Sequence, residues 1–257
     1  MAYRVDVVKV GQIQVPSLEI YWLDLTKVGE WEYLNFLVAI IRDDDHVYLI
    51  NSGIDVDDPA LANFWKSSHP RQVLQAEVAL PQRLREMGIL PRQVAGIFLT
   101  PLTAYTTGNL WAFPNADIFL SRRGWIDFWA PCRHTPRLPK EIYIPQTSLD
   151  YLCHQGFNRV VLLDDGEQVV VPGIRSQFVG THHRSSMVYW IQTRSGTVAF
   201  SDCVFKYPNI EEGKYLGIAE NLEENLAAYD LIRQRADIVI PPYDPEVLRR
   251  YPGGHVA

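Results

Sequence analysis

The feature of this sequence that most limits its fold is the segment Val94–Leu110. A short apolar stretch, Ile97, Phe98 and Leu99, gives way at once to a turn carrying Thr103, Thr106, Thr107, Gly108 and Asn109, before Leu110 restarts the apolar pattern. An apolar run of this length without alternation predicts a strand buried on both faces, as in a parallel sheet. Open α/β sheets bind ligands just beyond the carboxyl ends of such strands. The hydroxyl-rich turn is therefore where a site is expected.

The rest of the chain reads as strands and helices in mixture. Val5–Val10, Leu18–Trp22, Asn35–Arg42 and His46–Ile50 carry the β-branched and aromatic residues of strands, with a turn at Asp43-Asp44-Asp45. Asp58–Trp65 and Leu80–Met87 repeat apolar residues at helical spacing, and Gly88 is placed as a helix stop. Asp117–Leu120 predicts a further strand, Arg122–Phe128 a short aromatic helix, and the proline-rich segment Pro131–Pro145, which includes His134, a surface loop or lid.

In the second half Arg159–Leu163, Gln168–Val171, Ser176–Val179, Met187–Gln192 and Val198–Ser201 predict strands, with Gly166, Gly173 and Gly196 at turns. Glu220–Arg233 is an amphipathic helix with acidic residues in its first turns. Ile238–Ile240 predicts a strand, followed by a helix with Asp244 as N-cap and Pro245 at its first position. A strand followed by a polar loop occurs once in each half, at His46–Gly53 and at Thr197–Cys203.

Laid along Thr100–Gly108, the central turn resembles the signature of the metallo-β-lactamase superfamily, Thr-His-x-His-x-Asp-His-x-Gly, which holds two zinc ions. Pro101, Thr103, Tyr105 and Thr106 stand where that family has His, His, Asp and His. Asn51-Ser52-Gly53 resembles its Asp-Thr-Gly, Gly180–Ser186 its Gly-His-Thr-Pro-Gly-Ser, Ser201-Asp202-Cys203 its Gly-Asp-Ala, and Pro241–Pro245 its Pro-Gly-His-Asp-Pro with Tyr243 at the last His. Phe113-Pro114-Asn115-Ala116 is similar to the lactonase-like branch, although Phe205 stands where that branch has Tyr. The resemblance implies one α/β domain over residues 1–257, an αββα sandwich with two mixed sheets face to face and helices outside. Of the family's ligands only His182 and Asp202 keep their type.

Neutral hydroxyls are poor zinc ligands and proline offers no donor, so the expectation at this stage is no cofactor. An Asp202–His182 hydrogen-bonded pair is expected to face a pocket lined by the hydroxyls of Tyr243, Tyr105 and Thr103, which would also donate to the carboxylate. Thr106, His183, Arg184, Phe205 and Asn51 are expected to bind the substrate. The implied activity is hydrolysis of a labile ester, lactone or thioester, or a proton transfer. Two alternatives stand beside it: a non-catalytic ligand-binding protein or scaffold on the same fold, and a hydrolase with one metal held by His182, His183, Asp202 and Cys203. Thr103 or Ser185 could serve as a nucleophile, but their spacing does not require it.

Composition limits the partners. The 257 residues hold 24 basic against 30 acidic side chains, a net charge of −6, and no basic stripe of the kind that nucleic acid requires. A small molecule is the expected partner. The three cysteines, Cys132, Cys153 and Cys203, lack metal or disulfide spacing. The longest apolar run, Phe36–Ile41, is too short to span a bilayer. A cytoplasmic protein is expected, in which Trp22, Trp31, Trp125 and Trp129 would suit a homodimer face or a lid.

Overall fold

The computed structural model describes residues 2–130 and 138–257. Seven strands form a first mixed sheet: β1 (Arg4–Pro16), β2 (Trp31–Arg42), β3 (Val47–Ile50), β4 (Gln75–Ala76), β5 (Val94–Phe98), β6 (Asp117–Ser121) and β7 (Val160–Leu163), in the spatial order β4-β1-β2-β3-β5-β6-β7. Five more, β8 (Gln168–Val171), β9 (Ile174–Phe178), β10 (Met187–Thr193), β11 (Gly196–Ser201) and β12 (Ile238–Ile240), form a second sheet in the order β12-β11-β10-β9-β8.

The side-chain period of two sorts the residues of β2 into layers. Leu37, Ala39 and Ile41 point between the sheets, where they meet Phe98, Tyr189 and Phe200 in one apolar cluster. Val38 and Ile40 point the other way, with Leu49, Ile97 and Ile118, onto Leu61, Leu80 and Leu84 of the outer helices. This is why β2 reads as a continuous apolar run. The outer face of the second sheet packs Val188, Trp190 and Ala199 against Ala228, Tyr229 and Ile232 of the helix Leu222–Arg235. Helices thus flank two face-to-face sheets, the expected αββα sandwich.

A bulge between Lys9 and Gly11 breaks the register of β1 against β2. It rotates the strand, so that Val5 and Val7 face the second sheet whereas Ile13 and Val15 face the helices. The far end of β1 is thereby aimed at the rim onto which β3, β5, β11 and β12 also open.

Some expectations are corrected. Leu18–Trp22 is not a strand: Pro16 closes β1, and the Tyr21 N–H bonds back to the Ser17 carbonyl to form the helical turn Ser17–Ile20. Pro131–Pro145 is not wholly a loop. Its residues 131–137, His134 among them, lie outside the described residues, while Lys140–Tyr143 is helical and a second helix, Gln146–Cys153, follows directly. The last helix, Glu246–Arg250, begins one residue later than predicted, with Pro245 as its N-cap residue. The Asp244 carboxylate still caps that turn, accepting the Glu246 N–H at 2.9 Å and the Tyr207 N–H at 2.8 Å. Among the described residues no helix is long and apolar enough to cross a membrane.

Candidate functional site

The loops after β3, β5, β9, β11 and β12 meet at one rim. Asn51 follows β3 with φ of 70°, a left-handed conformation that asparagine tolerates better than most residues. Its Nδ2 donates to the Thr100 carbonyl at 3.0 Å, and its Oδ1 accepts the Thr100 N–H at 2.9 Å. Asn51 is therefore a clamp between strand ends and does not line the pocket. Thr106 is likewise internal, its hydroxyl donating within the turn toward the carbonyls of Pro101 and Thr103 at 2.6 and 2.8 Å.

Asp202, at the end of β11, is fully buried. His182 Nδ1 lies 3.1 Å from its Oδ2, the Ser186 hydroxyl donates to the same oxygen at 2.5 Å, and the Thr100 hydroxyl donates to Oδ1. The predicted pair exists, but the predicted hydroxyl donors differ. Thr100 and Ser186 take the place expected for Tyr243, Tyr105 and Thr103, whose hydroxyls make no hydrogen bond of acceptable geometry to the carboxylate. Thr100 also accepts the Met187 N–H at 2.8 Å, which joins the end of β5 to β10.

Both oxygens of Asp202 act as acceptors toward hydroxyls, so Nδ1 of His182 donates to Oδ2 and Nε2 carries the lone pair. The imidazole is 3% exposed. Burial pushes its pKa down to about 4, with the neighbouring His183 adding to the effect and Asp202 opposing it. His182 is thus neutral at pH 7.

In front of His182 is a cavity of about 150 Å³. His182, His183, Thr103, Tyr105, Tyr243 and Phe205 contribute to its wall, so six of the ten expected site residues meet there. Asp202 is behind His182, Asn51 and Thr106 are in the supporting turns, and Arg184 borders a smaller neighbouring cavity with Ser185. Arg184 is tied to Glu224 at 2.6 Å, and the Ser185 hydroxyl accepts the Leu102 N–H at 2.8 Å.

Most of the remaining wall is apolar. Phe36 stacks on Tyr105 and Trp65 with ring centroids 4.9 and 5.5 Å apart. Phe205 meets His182 edge-on at 4.7 Å and Tyr243 at 4.6 Å. The Tyr243 hydroxyl is buried without a well-aligned hydrogen-bond partner, and burial, followed by the field of Tyr105 and Asp202, raises its pKa well above the ordinary phenol value. Burial raises Tyr105 as well. Both phenols are therefore protonated at neutral pH.

This architecture has clear counterparts. A variant of AiiA from B. thuringiensis with N-decanoyl-L-homoserine at its active site superposes with a TM-score of 0.76 at 16% identity, covering 97% of each chain. An N-acyl homoserine lactone hydrolase with N-hexanoyl-L-homoserine bound at its catalytic metal centre gives 0.77 at 16% identity, again over 97% of each chain. The chain has the metallo-β-lactamase fold. AidC, a dizinc quorum-quenching lactonase, shares that fold at 14% identity and a TM-score of 0.69, covering 98% of this chain and 89% of AidC. No protein-family profile matches the chain, and no curated protein is significantly similar to it.

These counterparts correct one expectation. The reading that no cofactor belongs here is overturned at the level of the fold, because metallo-β-lactamase-fold neighbours of high coverage include a dizinc lactonase and an enzyme with its product at a metal centre. Catalytic zinc takes three protein ligands of N, O or S type, and among the described residues no three His, Cys, Asp or Glu side chains are grouped to hold a metal. Most zinc-ligand positions of the fold carry other residues, and both oxygens of Asp202 are engaged by hydroxyl and imidazole donors. The donor set does not fit a dizinc centre.

The structure also adds residues that the sequence reading missed. Thr100 and Ser186 hold Asp202, and a hydroxyl at the end of a strand next to a buried acid was the available signal. Glu19, Phe36 and Trp65 line the cavity, but they are distant in sequence from every recognisable motif.

Proposed function

We propose that this protein is a small-molecule hydrolase on the metallo-β-lactamase fold, in which His182, oriented by Asp202, acts as general base at the aromatic pocket. The substrate is a labile ester, lactone or thioester. The observation that carries this reading is a buried, neutral imidazole at the cavity wall whose Nδ1 is committed to a buried carboxylate. Nε2 takes a proton from a water molecule, the water oxygen adds to the acyl carbon, and the alcohol or thiol leaves with a proton returned through the same imidazole. Asp202 accepts the Nδ1 hydrogen throughout and holds the imidazole in that orientation.

The strength of this base sets the substrate class. General bases work best with a pKa near the operating pH and contribute about 10²–10⁴-fold. An imidazole lowered to about 4 is a weaker acceptor than that, so a good leaving group must supply the remaining driving force. Amides are too stable for such a site.

A panel of activated esters, lactones and thioesters, run with wild type, His182→Ala and Asp202→Ala, tests the proposal. A loss of about 10²-fold or more in both variants is expected, and unchanged rates would remove the pair from catalysis. The predominantly apolar wall favours a second reading, a ligand-binding protein. Saturable binding with no turnover of any panel member supports that one.

A further inference from the structure

Among the described residues, the wall of the aromatic cavity contains one acidic side chain, Glu19, and no lysine or arginine. Glu19 is in the turn Ser17–Ile20 that replaces the predicted strand, and its backbone is fixed there because its carbonyl accepts the Ile218 N–H at 3.1 Å. Gln72 reaches carboxylate oxygen Oε1 with a long contact of 3.4 Å. Among the described residues no cation forms an ion pair with it. The basic groups nearby are matched elsewhere: His183 faces Glu220 at 3.4 Å, and Arg184 faces Glu224.

A carboxylate placed in an aromatic pocket without a cation is poorly compensated, and burial accordingly raises its pKa to about 6 against a small opposing effect of Gln72. It remains largely ionised at neutral pH. Phe36, Trp65 and Tyr105, stacked on one another, give the same cavity an apolar wall and no positive charge to offset the carboxylate. The uncompensated carboxylate repels a carboxylate ligand and attracts an ammonium group.

We propose that the ligand of this pocket is an apolar molecule bearing a protonated amine, with the ammonium group on the Glu19 carboxylate and the alkyl or aryl body against Phe36, Trp65 and Tyr105. This rests on the reading of the cavity as the substrate site, and it narrows the substrate class to amine-bearing acyl compounds. Glu19 is then a specificity-determining residue on the wall of the same cavity as His182.

Three probes matched in chain length separate charge from shape: hexylammonium, hexanol and hexanoate. Calorimetric titration of the full chain at neutral pH should rank them in that order, with hexylammonium at least about tenfold tighter than hexanol. In Glu19→Gln the ammonium advantage should collapse while hexanol affinity is retained. Hexanoate binding as tightly as hexylammonium to the wild type overturns the proposal, as does an ammonium advantage that survives in Glu19→Gln. Binding is read without turnover, so these outcomes are independent of whether His182→Ala lowers hydrolysis.

Discussion

His182 Nδ1 and Asp202 Oδ2 are 3.1 Å apart, with the two side chains 3% and 0% exposed. With Thr100 and Ser186 they form a closed group in which one carboxylate answers three donors. Asp202→Ala would leave the Ser186 hydroxyl and the His182 N–H buried without an acceptor, while the Thr100 hydroxyl retains the Met187 carbonyl at 3.0 Å. A loss of about 2–4 kcal/mol is expected, measured as a lower urea midpoint at unchanged slope. A midpoint equal to that of wild type would show that the group contributes nothing to folding.

Acid should weaken the fold through His182. Its pKa falls from 6.5 free to about 4 folded, so the unfolded chain binds the proton first. Stability therefore falls as pH drops from about 6.5 toward about 4, by about 3 kcal/mol for this group, and His182 adds no further slope below that. Glu19 acts in the opposite sense: its pKa rises from 4.5 to about 6, so its contribution to stability falls as pH rises through that interval. Glu220 is held low, burial being outweighed by His183 and Arg184, and it adds to acid loss only below the ordinary carboxylate range. Urea titrations of wild type and His182→Phe across this window isolate the histidine, and identical pH slopes would refute the assignment.

Asn51 occupies the place of an aspartate in the superfamily that its loop resembles. Asn51→Asp would set a carboxylate oxygen against the Thr100 carbonyl, which the amide now reaches at 3.0 Å. The expected cost is about 2 kcal/mol, and Asn51→Ala should cost more because alanine tolerates a φ of 70° poorly. Thermal unfolding of the two variants checks both the size and the order.

Thiol labelling should discriminate sharply between cysteines. Cys203 is buried, and burial pushes its thiol up to about 12, whereas Cys153 is exposed. Under native conditions iodoacetamide should modify Cys153 and leave Cys203 intact, with Cys203 reacting only on unfolding. Native alkylation of Cys203, read by peptide mass mapping, would contradict the burial described here.

The layers of the fold were legible because β2 and β5 are apolar on both faces, which only a strand covered on two sides can afford. His182 and Asp202 were legible because each follows a strand in a turn of recognisable pattern. Their other partners were not. Ser186 meets Asp202 through the antiparallel pairing of β10 with β11, and Thr100 reaches it only when one sheet closes over the other; no local periodicity reports either distance. Glu19 was hidden by its neighbours, since Leu18, Ile20, Tyr21 and Trp22 have strand composition and only the closure of β1 at Pro16 turns the chain. In Gln146–Cys153 the apolar pair Leu149 and Leu152 has helical spacing, but the prolines on its amino-terminal side obscured it.

The Thr100 hydroxyl touches Asp202 on one side and the Met187 amide of the second sheet on the other. With the Tyr189 hydroxyl, which donates to the Leu99 carbonyl at 3.0 Å, this oxygen fastens the two halves of the sandwich at the rim of the pocket. Amide hydrogen exchange in β5 and β10 should consequently slow and quicken together, and a Thr100→Val chain should exchange faster in both strands.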